Sequence, residues 1–202
     1  MVRTAVLVSG GGTNLQALLD ASGRGALPSC AICLVVSDRP GAYALQRAAQ
    51  AGVEAAALGR EASEGPEAYG ARLLALLKGK GIELVVLAGF LTILDPCVVR
   101  AYENRILNVH PSLIPAFCGK GYYGLRVHEA ALTRGVKMTG ATVHLVNEIP
   151  DGGPILAQKA VPVLEGDSPQ SLQKRVMEEA EWVLLPQAVE QVAQRMLREE
   201  SA

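Results

Sequence analysis

The sequence predicts an α/β fold: a Rossmann-like, mostly parallel sheet with helices on both faces and an antiparallel C-terminal edge. Through residue 110, short apolar runs alternate with helical patterns, as in βαβ units. Aliphatic residues supply most of the 50% apolar fraction, with only 4% aromatic residues, which is typical of helices packed on a buried sheet. After residue 135 the apolar residues alternate on both sides of the glycine-rich turn "IPDGGP".

The first half of the chain contains five apolar runs that predict parallel strands covered on both faces. They are Thr4–Val8, Ala31–Val36, Val53–Leu58, Leu84–Ala88 and Ile106–Val109. Leu and Ala at three- and four-residue spacings predict helices between them, at Asn14–Ala21, Ala42–Ala51 and Glu67–Lys78. Right-handed crossovers would wind these helices onto both faces of the sheet.

The second half has a different pattern. The segments "TGATVHLV" and "ILAQKAVPV" predict an antiparallel pair added to the sheet edge. A helical pattern then closes the chain, with Ser168 as its N-cap and Pro169 at its first position. Pro186 predicts a kink or break in that helix, because proline lacks the N–H that an interior position must donate.

Length and charge favour one domain over residues 1–202, with a phosphate-binding βαβ half to about residue 110 and a mixed-sheet half over about 111–202. The net charge of −1 argues against a broad surface for nucleic acid or an anionic membrane. No apolar run approaches the roughly 20 residues of a membrane span, and we expect a cytoplasmic protein. Because the net charge provides no broad basic surface, an anionic ligand must be held by a local site. Both a monomer and a homodimer fit the sequence.

Two cysteines, Cys30 and Cys33, form a C-x-x-C spacing that could mark a redox pair or half a zinc site. The spacing runs directly into the apolar segment "AICLVV", and no second such pair follows it. We interpret both residues as small buried apolar side chains and expect no metal.

The segment "AVLVSGGGTNLQALL" predicts a strand, a glycine-rich turn and a helix. Such a turn brings backbone N–H groups and the positive end of a helix close to an anion such as phosphate. Gly10 and Gly12 match the start of the dinucleotide pattern G-x-G-x-x-G, but its last position is Leu15. With Asp38 as a ribose ligand, a nicotinamide-dependent oxidoreductase is one alternative, and a non-catalytic nucleotide-binding domain is another.

The segment "ILNVHPSLIPAF" places an amide and an imidazole together. Asn108 and His110 are two apart in a strand and so project from one face, at the edge where open α/β sheets bind ligands. Asp151 lies in the flexible turn "PDGGP", which could carry a carboxylate to the same edge and favour the charged imidazolium. An amide, an imidazolium and a carboxylate suit acyl or formyl transfer through a tetrahedral intermediate.

The other two histidines, His128 and His144, have no such neighbours in sequence. The three histidine spacings do not place two ligands on one helical turn, so a zinc site is not expected. We interpret His128 and His144 as structural residues.

The motifs "NVHPSLIPAF", "DGGPIL", "SGGGTNLQALL" and "LVVLAGFLTIL" are similar to those of the 10-formyltetrahydrofolate transferase family, essentially from end to end. The N-terminal loop resembles the branch that formylates 5-phosphoribosylglycinamide. The resemblance implies a metal-free formyl transfer from 10-formyltetrahydrofolate, in which Asn108, His110 and Asp151 are catalytic. It further implies that the ribose 5-phosphate is held at Gly11, Gly12, Thr13 and Asn14.

The resemblance also implies that folate binds along two segments, largely through backbone groups. The first consists of Leu91, Thr92, Ile93 and Leu94, and the second consists of Asn147, Glu148, Ile149 and Pro150 beside Asp151, with Asn108 next to both. A substrate-binding Glu in the C-terminal helix could be Glu178, Glu179 or Glu181, of which Glu181, five residues before Pro186, fits the family best.

Three departures from the family pattern bear on function. Pro66 stands where many members have an Arg that reaches the glutamate tail of folate. The loop at 118–125 is longer than in the commonest members, so Lys120, Tyr122 and Tyr123 are candidates for a lid. We expect neither the RNA-binding domain of the methionyl-tRNA transferases nor the regulatory domain of the hydrolases.

Overall fold

A computed structural model describes residues 1–61 and 63–200 of the chain. Its strands are β1 (Val2–Val8), β2 (Cys30–Ser37), β3 (Glu54–Ala57), β4 (Leu84–Leu87), β5 (Ile106–His110), β6 (Met138–Leu145) and β7 (Ile155–Pro162). Its helices are α1 (Thr13–Gly23), α2 (Tyr43–Gln50), α3 (Pro66–Gly79), α4 (Pro96–Ala101), α5 (Leu125–Arg134), α6 (Pro169–Val176) and α7 (Trp182–Glu200). A π-helical turn, Met177–Glu181, joins α6 to α7.

The strands form one seven-stranded sheet in the order β3-β2-β1-β4-β5-β6-β7. The first five strands are parallel, and β6 and β7 are antiparallel to their neighbours. The predicted mostly parallel sheet with an antiparallel C-terminal edge is therefore confirmed. Because β1, β4 and β5 are adjacent and parallel, the segments that follow them leave the sheet at the same edge.

The core consists of two apolar layers, one on each face of the sheet. In β1, Val6 and Val8 pack into the layer beneath α1, α2, α5, α6 and α7, whereas Ala5 and Leu7 pack into the layer beneath α3 and α4. This alternation follows from the two-residue repeat of a strand. Burial on both faces explains why β4, at the middle of the sheet, contains no polar residue.

The sequence predicted most element ends to within one or two residues, but it was wrong on the burial of β3. The run Val53–Leu58 was expected to be covered on both faces, yet β3 is an edge strand and most of its residues are exposed. The apolar character of this run comes from alanines, which are tolerated at a solvent-facing edge. Conversely, β6 is almost completely buried and β7 forms the exposed edge.

The C-terminal helical segment begins as predicted, with Ser168 capping α6 and Pro169 in its first turn. The break lies earlier than predicted, because Pro186 is inside α7 and the irregular turn is Met177–Glu181. Pro186 removes a single i→i−4 hydrogen bond, the one to the carbonyl of residue 182, and α7 continues through it. Among the described residues, none of the helices has the length and apolar character needed to cross a membrane.

The cysteine pair lies within β2, and its members belong to different layers of the core. Cys30 is buried in the layer of α1 and α7, and Cys33 packs against the layer of α3 and α4. Both are free thiols. Burial raises the pKa of Cys30 to about 11, which keeps the thiol protonated and unreactive. Two side chains on opposite faces of a sheet cannot share a metal or form a disulfide with each other.

The first prediction concerns the contact between α2 and the loop Gly10–Gly12, called the glycine loop below. Gly12 has a φ of 72°, and a Cβ added there would lie 2.6 Å from the Cβ of Ala44. Replacing Gly12 with Ala therefore adds a steric clash to the strain of a positive φ. We expect Gly12→Ala to lower the free energy of unfolding, measured in urea, by about 1–3 kcal/mol more than the control.

The matched control is Gly25→Ala. Gly25 has the same φ of 72°, but nothing lies within 4 Å of its added Cβ. Gly25→Ala therefore reports the cost of the backbone conformation alone. Equal losses of stability in the two variants would show that the contact with α2 does not restrict this position.

Candidate active site

A cleft of about 760 Å³ opens at the sheet edge where β1, β4 and β5 end. The glycine loop that follows β1 is tied to the segment that follows β4. The Ser9 N–H donates to the carbonyl of Gly89 (3.2 Å), and the Leu91 N–H donates to the Ser9 hydroxyl (2.8 Å). These bonds fix two walls of the cleft relative to each other.

A smaller cavity of about 130 Å³ adjoins the cleft on the side of the 91–94 and 147–150 segments. The two cavities share part of their lining, and the shared residues include Asn108 and Asp151. His110 lines the larger cleft only. Asn108 and Asp151 therefore stand at the boundary between two binding spaces of different size.

The Asp151 carboxylate is the centre of a polar cluster. Its Oδ1 lies 3.4 Å from Nδ2 of Asn108 and 3.6 Å from Nε2 of His144. Its Oδ2 accepts a hydrogen bond from the Gly119 N–H (2.8 Å) and lies 3.6 Å from Nδ1 of His110. Four groups from three parts of the chain thus surround one carboxylate.

The turn between β6 and β7 carries Asp151 to this place. Asp151 adopts a φ of 54°, and the following glycines allow the chain to return closely past β6. A Cβ at Gly153 would overlap the carbonyl oxygen of Leu145. The Asn147 side chain closes the turn by accepting from the Ile149 N–H (2.9 Å) and donating to the Gly152 carbonyl (3.2 Å). The sequence "PDGGP" is therefore required by the tight return of the chain.

The surroundings of Asp151 favour its charged form. Burial by itself would raise the pKa of this carboxyl. The contact with His144, the charge of His110 and the Gly119 N–H together hold the pKa of Asp151 below its ordinary value. The cluster therefore keeps a carboxylate ionised at a partly buried position.

The two histidines of the cluster are oriented by backbone carbonyls. His110 donates through Nε2 to the Phe117 carbonyl (2.9 Å), so its Nδ1 faces Asp151. His144 lies 2.8 Å from the carbonyl of Leu145 through Nδ1, and its Nε2 lies 3.1 Å from Nδ2 of Asn108. A neutral His144 accepts from the Asn108 amide, and a charged one donates to the carboxylate.

His128 differs from the other two histidines. It is fully buried on α5, and neither ring nitrogen has a hydrogen-bond partner in the described chain. Burial, followed by the proximity of His110, lowers the pKa of His128 to about 4. The ring is therefore neutral at physiological pH.

The predicted phosphate-binding residues lie together in the cleft and outside the small cavity. Gly11, Gly12, Thr13 and Asn14 all line the cleft, as does Glu181 from the π-helical turn. Asn14 donates through Nδ2 to Glu181 (2.6 Å), while its Oδ1 is buried without a partner among the described residues. Burial raises the pKa of Glu181 to about 7, and the bond from Asn14 opposes this shift.

The structure separates the three candidate glutamates. Glu178 and Glu179 are exposed, and only Glu181 is buried and lines the cleft.

The predicted folate segments line the small cavity, which includes Leu91, Thr92, Ile93, Leu94, Asn108, Asn147, Glu148, Ile149 and Pro150. Asp38 lines neither cavity, and its carboxylate accepts a hydrogen bond from the Thr92 hydroxyl (2.7 Å). A ribose-binding role for Asp38 is therefore not supported.

Sequence reasoning missed several residues of the cleft and of the small cavity. His144 was interpreted as structural, but pairing of β5 with β6 sets it directly opposite Asn108. Gln173 and Met177 line the cleft with Glu181. Their four-residue spacing along a helical segment was a signal that could have identified them. Arg39 also lines the cleft, whereas Pro66 begins α3 and lines neither cavity.

A family model described as "Formyl transferase" matches residues 2–189. The chain is 42% identical over 181 residues to the trifunctional purine biosynthetic protein adenosine-3 of Drosophila melanogaster, covering 89% of this chain and 13% of that protein. It is 40% identical over 171 residues to the phosphoribosylglycinamide formyltransferase of Escherichia coli (strain K12), covering 85% of this chain and 78% of that one.

The fold is similar to a crystal structure of glycinamide ribonucleotide transformylase 1 from Symbiobacterium toebii. The TM-score is 0.90 at 44% identity, and the match covers 96% of this chain and 88% of that one. The chain spans only 13–14% of the trifunctional relatives from insects that it matches.

The raised pKa of Glu181 predicts a specific dependence of stability on pH. The folded protein holds this proton up to about pH 7, whereas the unfolded chain releases it near the ordinary value of 4.5. The contribution of Glu181 to wild-type stability therefore falls between these pH values as pH rises. We expect Glu181→Gln, which mimics the protonated acid, to exceed wild type by about 1–3 kcal/mol at pH 8 and by little at pH 4.5.

Urea unfolding at several pH values measures this difference. Glu179→Gln is the control, because Glu179 is exposed on the same turn. Its difference from wild type should not grow with pH. A Glu181→Gln difference that is constant from pH 4.5 to 8 would contradict the assignment.

Proposed function

The chain belongs to the formyl transferase family, and on that premise we propose that it transfers the formyl group of 10-formyltetrahydrofolate to the amino group of 5-phosphoribosylglycinamide in purine biosynthesis. The observation that carries the proposal is the position of Asn108 and Asp151, which line both cavities. The formyl group passes from one bound molecule to the other, so the residues that act on it must lie where the two binding spaces meet.

The glycine-loop end of the cleft suits the ribose 5-phosphate. Gly11 and Gly12 precede α1, so their N–H groups and the positive end of the helix face the cleft. The buried Oδ1 of Asn14 is an unused acceptor for a hydroxyl group. Glu181 lies next to it and offers a second oxygen. The phosphate and the sugar thus have complementary groups side by side.

The small cavity suits the pterin of the folate. Its lining is mostly apolar, and the irregular segments at 91–94 and 147–150 present backbone N–H and C=O groups at its wall. Leu91 and Ile93 are apolar and exposed at the junction with the cleft, where an aromatic ring of the ligand would cover them. The formyl group would then lie beside Asn108 and Asp151.

The proposed reaction forms one C–N bond and breaks another. The amine of phosphoribosylglycinamide attacks the formyl carbon and gives a tetrahedral intermediate with a negatively charged oxygen. The Asn108 amide and the His110 ring stabilise that oxygen. The bond from the formyl carbon to N10 of the folate then breaks, and a proton moves from the attacking amine to N10.

Asp151 has two tasks in this scheme. Its carboxylate lies 3.6 Å from Nδ1 of His110 and helps to fix the orientation of the ring beside the intermediate. Its ionised state also lets it accept the proton from the amine and pass it on. His144 positions the Asn108 amide from the opposite side, through the 3.1 Å contact. All of these groups belong to the chain, and the scheme uses no metal.

The 119–124 loop is a candidate cover for the reacting groups. Lys120, Tyr122 and Tyr123 line the cleft, and the Gly119 N–H holds Asp151. Ordering of this loop and formation of the catalytic cluster are therefore coupled by one hydrogen bond. The substrates are small molecules, and either a monomer or a homodimer is compatible with this cleft.

The test is a formyl transfer assay with both substrates, in which mass spectrometry detects the formylated ribonucleotide. We expect the wild-type chain to turn over, and His110→Ala and Asp151→Asn each to lower kcat by about 100-fold or more. Asp20→Asn is the control, because Asp20 is bonded to an amide side chain but lies outside the cleft. Thermal unfolding verifies that each variant is folded.

Two results would overturn the proposal. One is a folded wild-type chain that shows no transfer with both substrates present. The other is near wild-type turnover by folded His110→Ala and Asp151→Asn, which would place the chemistry elsewhere.

A further inference from the structure

Residues of helix α2 donate hydrogen bonds to two consecutive carbonyl groups of the glycine loop. The Ala44 N–H donates to the carbonyl of Gly10 (3.1 Å). The Arg47 guanidinium donates through Nε to the carbonyl of Gly11 (2.8 Å). Arg47 is not part of the cleft lining, so it meets the loop on the side away from the cleft.

The direction of these carbonyls fixes the direction of the neighbouring N–H groups. In a planar trans peptide the C=O and the N–H point in opposite directions. The carbonyls of Gly10 and Gly11 face α2, so the N–H groups of Gly11 and Gly12 face the cleft. A run of three glycines has little conformational preference of its own, and its peptide groups need an external restraint to keep one orientation.

Two further contacts fix the position of the Arg47 guanidinium beside the glycine loop. Its second donor bonds to Oε1 of Gln16 on α1 (2.9 Å), and its guanidinium lies 5.0 Å from the centre of the Tyr43 ring. One planar group thus connects α1, α2 and the loop between β1 and α1. A lysine has one compact charged group and cannot reproduce two bonds in a fixed geometry.

We propose that Arg47 is a positioning residue for anion binding, which orients the Gly11 and Gly12 N–H groups toward the phosphate without touching it. This inference rests on the proposed function only in taking the anion to be the ribose 5-phosphate of phosphoribosylglycinamide. The positive charge behind the loop also favours a nearby anion.

Steady-state kinetics provide the first test. We expect Arg47→Ala to raise the KM for phosphoribosylglycinamide about tenfold, while kcat and the KM for 10-formyltetrahydrofolate stay within about twofold of wild type. Arg47→Lys should fall between wild type and Arg47→Ala. Guanidinium ion at low millimolar concentration should partly restore the KM of Arg47→Ala, which a general structural lesion would not allow.

The matched control is Arg24→Ala. Arg24 and Arg47 line the same small surface cavity beside α1, but Arg24 makes no side-chain hydrogen bond to the loop in the described chain. Its kinetics should equal those of wild type. An unchanged KM for phosphoribosylglycinamide in folded Arg47→Ala would overturn the inference.

A second measurement does not depend on formyl transfer. Ribose 5-phosphate is titrated into the ¹⁵N-labelled chain, and the amide signals of Gly11 and Gly12 are followed by NMR. Shifts in wild type that require much more ligand in Arg47→Ala would support the positioning role even if the chain transferred no formyl group. Equal ligand dependence in both proteins would overturn that role even if transfer were observed.

Discussion

The burial of the Asp151 carboxylate is the constraint on which the arrangement of the site depends. A carboxylate removed from water needs charged or hydrogen-bonding partners, because an unpaired buried charge costs several kcal/mol. Here the partners come from β5, from β6 and from the loop after β5. The turn that carries Asp151, the pairing of β5 with β6 and the position of the 119–124 loop must therefore agree with one another. The two cavities meet at Asn108 and Asp151, which belong to this cluster.

A chain with a net charge of −1 can bind anions if the positive potential is local. The glycine loop supplies that potential through backbone N–H groups and the end of α1. The Ala44 N–H and the Arg47 guanidinium donate to the carbonyl oxygens of the same peptide groups, on the side away from the cleft. Charged side chains therefore need not enter the cleft to influence what binds there, and composition alone underestimates the electrostatics of the site.

Local patterns predicted most of the fold and much of the site, because they depend on neighbours in sequence. The loop after β1 and the pair Asn108 and His110 follow from a strand repeat and a turn. The position of His144 depends on the register between β5 and β6, which no local pattern encodes. Glu181 was preferred over Glu178 and Glu179 through the family resemblance alone, because its burial depends on a π-helical turn that the sequence pattern did not predict. The exposure of β3 likewise depends on its place at the edge of the sheet.

The two buried carboxyl groups of the cleft show how partners decide the effect of burial. Burial acts to raise the pKa of both, but His144, His110 and the Gly119 N–H bring the pKa of Asp151 below its ordinary value, whereas the single Asn14 amide leaves that of Glu181 at about 7. The group at the boundary of the two cavities therefore keeps its charge. The group beside the glycine loop can be protonated near neutral pH, and a bound anion would favour that form further. A neutral Glu181 does not repel an anion and can still exchange hydrogen bonds with hydroxyl groups, so burial leaves one carboxyl group of the cleft charged and lets the other be neutral.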